Sequence, residues 1–119
     1  MGGAEAHWTP SERRQALAKQ FDEAKLTVIG VQESRTRFAG ICRLDPYLIV
    51  RSAATAGSDY GCELWMHTRF CGDASQVLVM ISEPRILLVA LEVGREVFVC
   101  VAHAPCIGGK RTRADVDAW

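Results

Sequence analysis

Residues 77–103 read VLVMISEPRILLVALEVGREVFVCVAH, and this stretch decides the fold. Two apolar runs, Val77 to Ile81 and Ile86 to Glu92, are separated by Ser82-Glu83-Pro84-Arg85, which has the polar residues and the proline of a turn. A single glycine supplies the next turn, and the chain returns from Glu96 to His103. The pattern predicts a three-stranded antiparallel meander.

Further strands and one helix precede the meander. Pro10 at a first helical position, with Thr9 as its cap, begins a pattern that predicts a helix from Pro10 to Lys25 after a loose tail at residues 1–9. The strand Leu26 to Gln32 is almost continuously apolar, which is typical of a central strand buried on both faces.

The middle of the chain alternates between loops and short strands. Ser34 to Pro46 contains three arginines, a glycine and a proline, and predicts a mobile basic loop. Tyr47 to Arg51 and Cys62 to His67 predict two more strands. These elements indicate an α+β fold: a mainly antiparallel sheet with a helix on one face, and strands for about one sheet.

Composition limits the kind of protein this is. The 119 residues allow one domain, and 14 basic and 14 acidic residues give a formal net charge of zero. A hydrophobic fraction of 49% excludes a disordered chain, and no apolar run approaches the roughly 18 residues that a membrane span needs. With no secretory leader in the first ten residues, we expect a soluble intracellular protein that does not contact a membrane; the compartment is not specified.

Two predicted strands end at an ionisable residue. Gln32-Glu33 closes the first strand, and His103 closes the last one ahead of Ala104-Pro105. A carboxylate fixed at a strand end suits a hard divalent cation, and a neutral imidazole can contact a phosphate or transfer a proton. The alternatives are a solvated Glu33 paired with a nearby arginine, and a His103 that only caps its strand.

The order of these motifs resembles the endonuclease/exonuclease/phosphatase superfamily, which includes pancreatic-type deoxyribonucleases, abasic-site endonucleases and retrotransposon endonuclease domains. The matching segments are Leu26 to Arg37 with its Gln-Glu pair, the glycine-started strand within Tyr60 to Trp65, the hairpin that follows, and His103-Ala104-Pro105. The resemblance implies that residues 10–119 form a partial domain, about half of a four-layer α/β/β/α sandwich.

The resemblance also implies divalent-metal-dependent phosphodiester hydrolysis. Glu33 would ligate Mg²⁺ or Mn²⁺, His103 would touch the scissile phosphate or assist proton transfer, and Tyr60 would contact the backbone of a nucleic acid or other phosphodiester substrate. The superfamily's catalytic Asn strand and its Gly-Asp-x-Asn and Ser-Asp-His motifs have no counterpart here. Whether this chain is an enzyme therefore stays open, and a sheet face without its cover predicts self-association.

A second hypothesis is a truncated, non-catalytic module that binds a phosphorylated or nucleic-acid partner. Its contacts would be basic side chains: Arg35, Arg37, Arg43 and the cluster Lys110 to Arg113.

The cysteines indicate a functional site less clearly than the strand ends do. There are five, with no C-x-x-C pair, and they predict reduced, mostly buried thiols. A zinc site from Cys100, His103 and Cys106 is disfavoured, because alternation along a strand would place the first two on opposite faces.

Overall fold

A computed structural model describes residues 11–32, 34, 38–57 and 60–103. Several predicted features lie outside these residues: the tail 1–9 with Thr9, Pro10, Glu33, Arg35, Arg37, Ala104-Pro105, Cys106 and the Lys110 to Arg113 cluster. What the sequence predicts for them stays a prediction.

The described residues form one α-helix and two antiparallel sheets, which confirms the α+β class. The first sheet has the strand order β1-β4-β3-β2 and the second has the order β5-β6-β7. In chain order the elements are α1 (Glu12–Glu23), β1 (Val28–Gln32), β2 (Gly40–Leu44), β3 (Tyr47–Arg51), β4 (Cys62–His67), a 3₁₀ turn (Ala74–Gln76), β5 (Val77–Glu83), β6 (Ile86–Glu92) and β7 (Glu96–Ala102).

The first sheet is buried on both faces at its centre. One face meets the second sheet in a core that includes Leu48, Leu64 and Met66 on one side and Leu87 and Val89 on the other. Residues that alternate with these point the opposite way and pack under α1. That second core contains Ala18, Tyr47, Ile49 and Trp65, with Phe21 against them.

Three layers therefore stack in the order helix, first sheet, second sheet. The prediction of strands for about one sheet is wrong, because the meander β5 to β7 forms a sheet of its own that packs face to face with the first. The strand bounds predicted for β3, β4 and β6 are confirmed, and those for β5 and β7 differ by two residues and one residue at their ends.

The predicted central position of β1 is wrong. Among the described strands β1 pairs only with β4, and its residues alternate between half-buried and exposed, with Val28 43% exposed. Ile29 and Val31 pack under α1. Gly30 faces the second sheet, where an added Cβ would lie 3.3 Å from Cγ2 of Val101.

The predicted loop from Ser34 to Pro46 contains a strand. Gly40–Leu44 pairs with β3 as β2, and its Ile41 and Cys42 are buried in the core. The apolar run of this strand is short and is interrupted by Arg43, so it does not stand out in the sequence. Arg43 lies on the exposed side of the strand and donates to the carbonyl of Gly72 at 2.5 Å.

The helix is shorter than predicted. Ser11 is its N-cap and accepts a hydrogen bond from the Arg14 amide at 3.2 Å, so the helix begins at Glu12. It ends at Glu23, and Lys25 follows with φ of 59° in the left-handed region. No helix within the described ranges is long and apolar enough to cross a membrane.

The second sheet leaves apolar side chains in solvent on the face away from the core. Leu78 and Phe98 are 64% and 56% exposed. Both pair with Ala90 of β6, Leu78 from β5 and Phe98 from β7. Met80 is also more than half exposed. Of the seven large apolar side chains that are exposed in the described part of the chain, four belong to this sheet: Leu78, Val79, Met80 and Phe98.

We expect this face to drive self-association. Replacing Phe98 by Lys removes apolar area and adds a charge, so the dissociation constant between copies should rise at least about tenfold. Ala16→Lys, an exposed change of the same charge on α1, is the control. Sedimentation velocity over a concentration series would measure both, and equal association of Phe98→Lys and wild type would contradict the expectation.

The close approach of β1 to β7 gives a second prediction. Gly30→Ala should lower the free energy of unfolding by about 1 kcal/mol, because the new methyl group crowds Val101. In a Val101→Ala background the same change should cost nothing. Urea unfolding of the wild type, the two single variants and the double variant gives the coupling energy between positions 30 and 101. Additive effects would show that the new methyl group does not contact Val101.

Candidate functional site

Four segments meet at one corner of the molecule. The amide of Gly61, just before β4, donates to the carbonyl of Pro84 in the β5–β6 turn at 2.7 Å, while the Gly61 carbonyl accepts from the Ser34 amide at 3.0 Å. The amide of His103, just after β7, donates to the carbonyl of Arg85 at 2.8 Å. These main-chain bonds fix the ends of β1 and β7, the start of β4 and the β5–β6 turn against one another.

The side chains of this corner form the strand-end cluster, defined as Gln32, Tyr60, Arg85 and His103. The rings of Tyr60 and His103 lie 5.3 Å apart between centroids, at an interplanar angle of 44°. Arg85 Nη2 donates to the Tyr60 hydroxyl at 2.9 Å, and its guanidinium carbon is 4.6 Å from the ring centroid. Gln32 Nε2 donates to the carbonyl of Ala102, next to His103.

Tyr60 holds an unusual backbone conformation. Its φ is 65° and that of Gly61 is 98°, so two consecutive residues lie in the left-handed region. Glycine adopts this region readily, whereas a bulky residue such as tyrosine does so at a cost. The bonds made by Gly61 maintain the bend, and the bend directs the Tyr60 ring towards His103.

The structure brings together two of the three predicted site residues. His103 and Tyr60 are in ring contact, and Gln32 reaches the same corner. Glu33 follows Gln32 in the chain and lies outside the described residues, so its role as a metal ligand stays a prediction. Within the described ranges, no group of three or more His, Cys, Asp or Glu side chains is arranged to hold a metal ion.

Arg85 was missed by sequence reasoning. It stands in a stretch that predicts only a turn, and it reaches Tyr60 across 25 positions of the chain. Local spacing carries no signal for such a contact, although a cation in a turn beside a strand that ends in histidine was a usable hint.

Sequence reasoning also missed Glu63. It stands inside β4, yet it is only 1% exposed. Its carboxylate accepts from Arg14 Nη2 at 2.6 Å, from Arg51 Nε at 3.1 Å and from Trp65 Nε1 at 2.9 Å. Burial lowers the pKa of Arg51, and the neighbouring Glu63 carboxylate acts in the opposite direction.

A cavity of about 450 Å³ lies between α1 and the end of β1, and we call it the α1–β1 cavity. Ser34 Oγ is buried at its edge and has no hydrogen-bond partner among the described residues. Gln32 belongs both to this cavity and to the strand-end cluster. The lining residues are Arg13, Arg14, Leu17, Val31, Gln32, Ser34, Glu63 and Trp65.

The four cysteines of the described ranges take no part in either site. None of them forms a disulfide with another: Cys42, Cys62 and Cys71 are buried and Cys100 is exposed. Burial raises the pKa of the Cys62 and Cys71 thiols, which keeps them protonated and unreactive. The zinc hypothesis also needs Cys106, which lies outside the described residues.

Comparisons of the chain with protein-family models, with curated proteins and with solved structures found no match. The superfamily resemblance carried by the sequence motifs therefore stays a prediction.

The buried position of Glu63 gives a third prediction. Glu63→Ala leaves the guanidinium of Arg51 buried without its counter-charge, so the free energy of unfolding should fall by roughly 3–5 kcal/mol. Glu96→Ala, an exposed strand position, is the matched control and should change it by less than about 0.5 kcal/mol. Urea unfolding measures both, and a similar loss in the two variants would contradict a role for the buried pair.

Proposed function

We propose that this chain binds phosphodiesters at the strand-end cluster and hydrolyses them with a divalent metal ion. The observation that carries the proposal is the contact of Arg85, Tyr60 and His103 at the corner where β1 and β7 end and β4 begins. The sequence motifs also predict phosphodiester chemistry for two of these residues, Tyr60 and His103.

The cluster has the donors that a phosphate needs. A guanidinium offers several N–H groups to phosphate oxygens, and the Tyr60 hydroxyl and a ring N–H of His103 can add to them. Charge builds on these oxygens in the pentavalent transition state, so donors held in place beforehand stabilise it. His103 is also the group that can move a proton to or from the attacking or leaving oxygen.

Glu33 is the proposed metal ligand. It follows Gln32 directly in the chain, and a carboxylate with the substrate's phosphate oxygens is the ligand set that Mg²⁺ or Mn²⁺ prefers. A bound ion of this kind supplies Lewis acidity to the phosphoryl oxygen and acidity to a coordinated water. The donors of Arg85, Tyr60 and His103 would orient the same phosphate.

A second candidate is a phosphate-binding module without hydrolysis. Arg85 supplies a cation, and Tyr60 and His103 supply further hydrogen-bonding groups; such a set binds phosphate without a metal. Of the arginines that the sequence suggested for a binding module, only Arg43 lies within the described ranges. It is on β2, at the opposite edge of the first sheet from β1, and its Nε lies 3.7 Å from the Asp45 carboxylate.

Hydrolysis of bis(p-nitrophenyl) phosphate and of labelled single-stranded DNA, with and without Mg²⁺, tests the proposal. Arg85→Gln should lower kcat/KM about a hundredfold by removing a transition-state donor. His103→Gln should lower it as well, because it removes the group that transfers the proton. Glu33→Gln should abolish the Mg²⁺-dependent rate.

Arg95→Gln is the matched control, since it removes an exposed arginine from the turn at the other end of the meander. It should leave kcat/KM unchanged. Full activity of Glu33→Gln would overturn the metal-dependent mechanism. Salt-sensitive DNA binding that needs Arg85 but not Mg²⁺, without turnover, would establish the module instead.

A further inference from the structure

We infer that the α1–β1 cavity binds a small organic anion, a single carboxylate carried on an apolar body. The site lies on the face of the first sheet that packs under α1, and it is independent of the phosphodiester chemistry proposed for the strand-end cluster. The charge, the hydrogen bonding and the shape of the cavity lining all favour such a ligand.

The arginines of the lining outnumber its carboxylates. Arg13 and Arg14 line the cavity, and Glu63 is the one acidic side chain among the described lining residues. That carboxylate is shared between two cations, because it accepts from Arg14 Nη2 at 2.6 Å and from Arg51 Nε at 3.1 Å. Arg13 makes no ion pair within the described part of the chain. An excess of positive charge beside low-dielectric walls concentrates anions from solution.

The Glu63 carboxylate is already saturated with donors. Its Oε1 accepts from Trp65 Nε1 at 2.9 Å and from Arg14 Nε at 3.4 Å, and its Oε2 accepts from Arg14 Nη2 and Arg51 Nε. A cation would have to displace an arginine in order to bind there. The negative charge of Glu63 also repels a second negative charge nearby, which favours a monoanion over a dianion such as a phosphate monoester.

Donors remain for the carboxylate of a ligand. Arg14 commits Nε and Nη2 to Glu63, and a guanidinium has five N–H groups in all. The fork of a guanidinium matches a planar carboxylate with two parallel hydrogen bonds, and the exposed Arg13 can bind in this way. Ser34 has a buried hydroxyl without a partner among the described residues, which is costly, and a ligand oxygen in the cavity can accept from it.

The rest of the lining suits an apolar body. Leu17 and Val31 line the cavity and also pack against the core under α1, and Trp65 behind them is fully buried. The volume of about 450 Å³ is within the range of pockets for small ligands. A ligand can thus place its carboxylate at the arginines and its apolar part against Leu17 and Val31.

Benzoate is the probe for this site, and benzamidine, which has the same shape and the opposite charge, is its control. Each is titrated into ¹⁵N-labelled protein, and the indole N–H of Trp65 reports binding because it lies at the cavity and donates to Glu63. The chain has three tryptophans, so Trp8→Phe and Trp119→Phe assign the indole signals. The Trp65 signal should shift saturably with benzoate and stay unchanged with benzamidine.

Variants place the benzoate in the cavity. Arg13→Gln should raise its Kd about tenfold, because it removes a charge-assisted hydrogen bond. Lys19→Gln is the matched control, since it removes the same charge from an exposed position of the same helix outside the lining, and it should leave the Kd unchanged. Ser34→Ala should raise the Kd severalfold. Benzoate should also raise the Tm of the wild type more than that of Arg13→Gln, because a ligand of the folded state stabilises it.

Several outcomes would overturn the inference. These are no shift of Trp65 with benzoate, an equal shift with benzamidine, or an equal loss of affinity in Arg13→Gln and Lys19→Gln, which would report the net charge of the chain. Tighter binding of benzyl phosphate than of benzoate would overturn the assignment to monocarboxylates. Arg85→Gln should leave the Kd of benzoate unchanged; a loss of binding in that variant would place the anion at the strand-end cluster instead. Failure of phosphodiester hydrolysis has no bearing on these measurements.

Discussion

The carboxylate of Glu63 is the group on which the packing of the helix depends. It lies on β4 and binds Arg14 of α1, Arg51 of β3 and the indole of Trp65 two positions along its own strand. A buried ion pair adds little net stability compared with apolar residues of the same shape, but losing one partner of such a pair is costly. Glu63 therefore holds α1 in its orientation on the first sheet, because Arg14 of the helix and Arg51 of β3 meet at the same carboxylate.

That orientation also creates the cavity. Arg14 reaches down from the first turns of α1 to Glu63, and the space between the helix and the end of β1 remains open and is lined by Arg13, Leu17 and Val31. A purely apolar contact between helix and sheet would tend to close, because such packing maximises buried area. The polar group that orients the helix thus also keeps this space open.

Regular patterns in the sequence predicted regular parts of the fold. The meander and β4 were predictable because their apolar runs are long and are bounded by turn residues. β2 was not, since its buried pair Ile41 and Cys42 is too short to stand out among arginines. The division into two sheets could not be read either, because strand periodicity shows that a residue is buried but not which layer buries it.

The residues of the site also differ in whether the sequence could predict them. His103 and Tyr60 could be selected because each stands at the boundary of a strand, where a side chain is held firmly and remains accessible. Arg85 and Glu63 could not, since their roles depend on contacts with residues distant in the chain. Their partners come from other elements, and only the docked structure shows which charges meet.

The distance along the chain between site residues has a consequence for folding. Each hairpin closes over a few residues, whereas Gln32 reaches Ala102 across 70 positions and Tyr60 reaches Arg85 across 25. Contacts of long sequence separation carry a larger loop-closure entropy and form after the local ones. We therefore expect the strand-end corner to assemble only when the two sheets dock, so that a partly folded chain with its hairpins alone would lack the site.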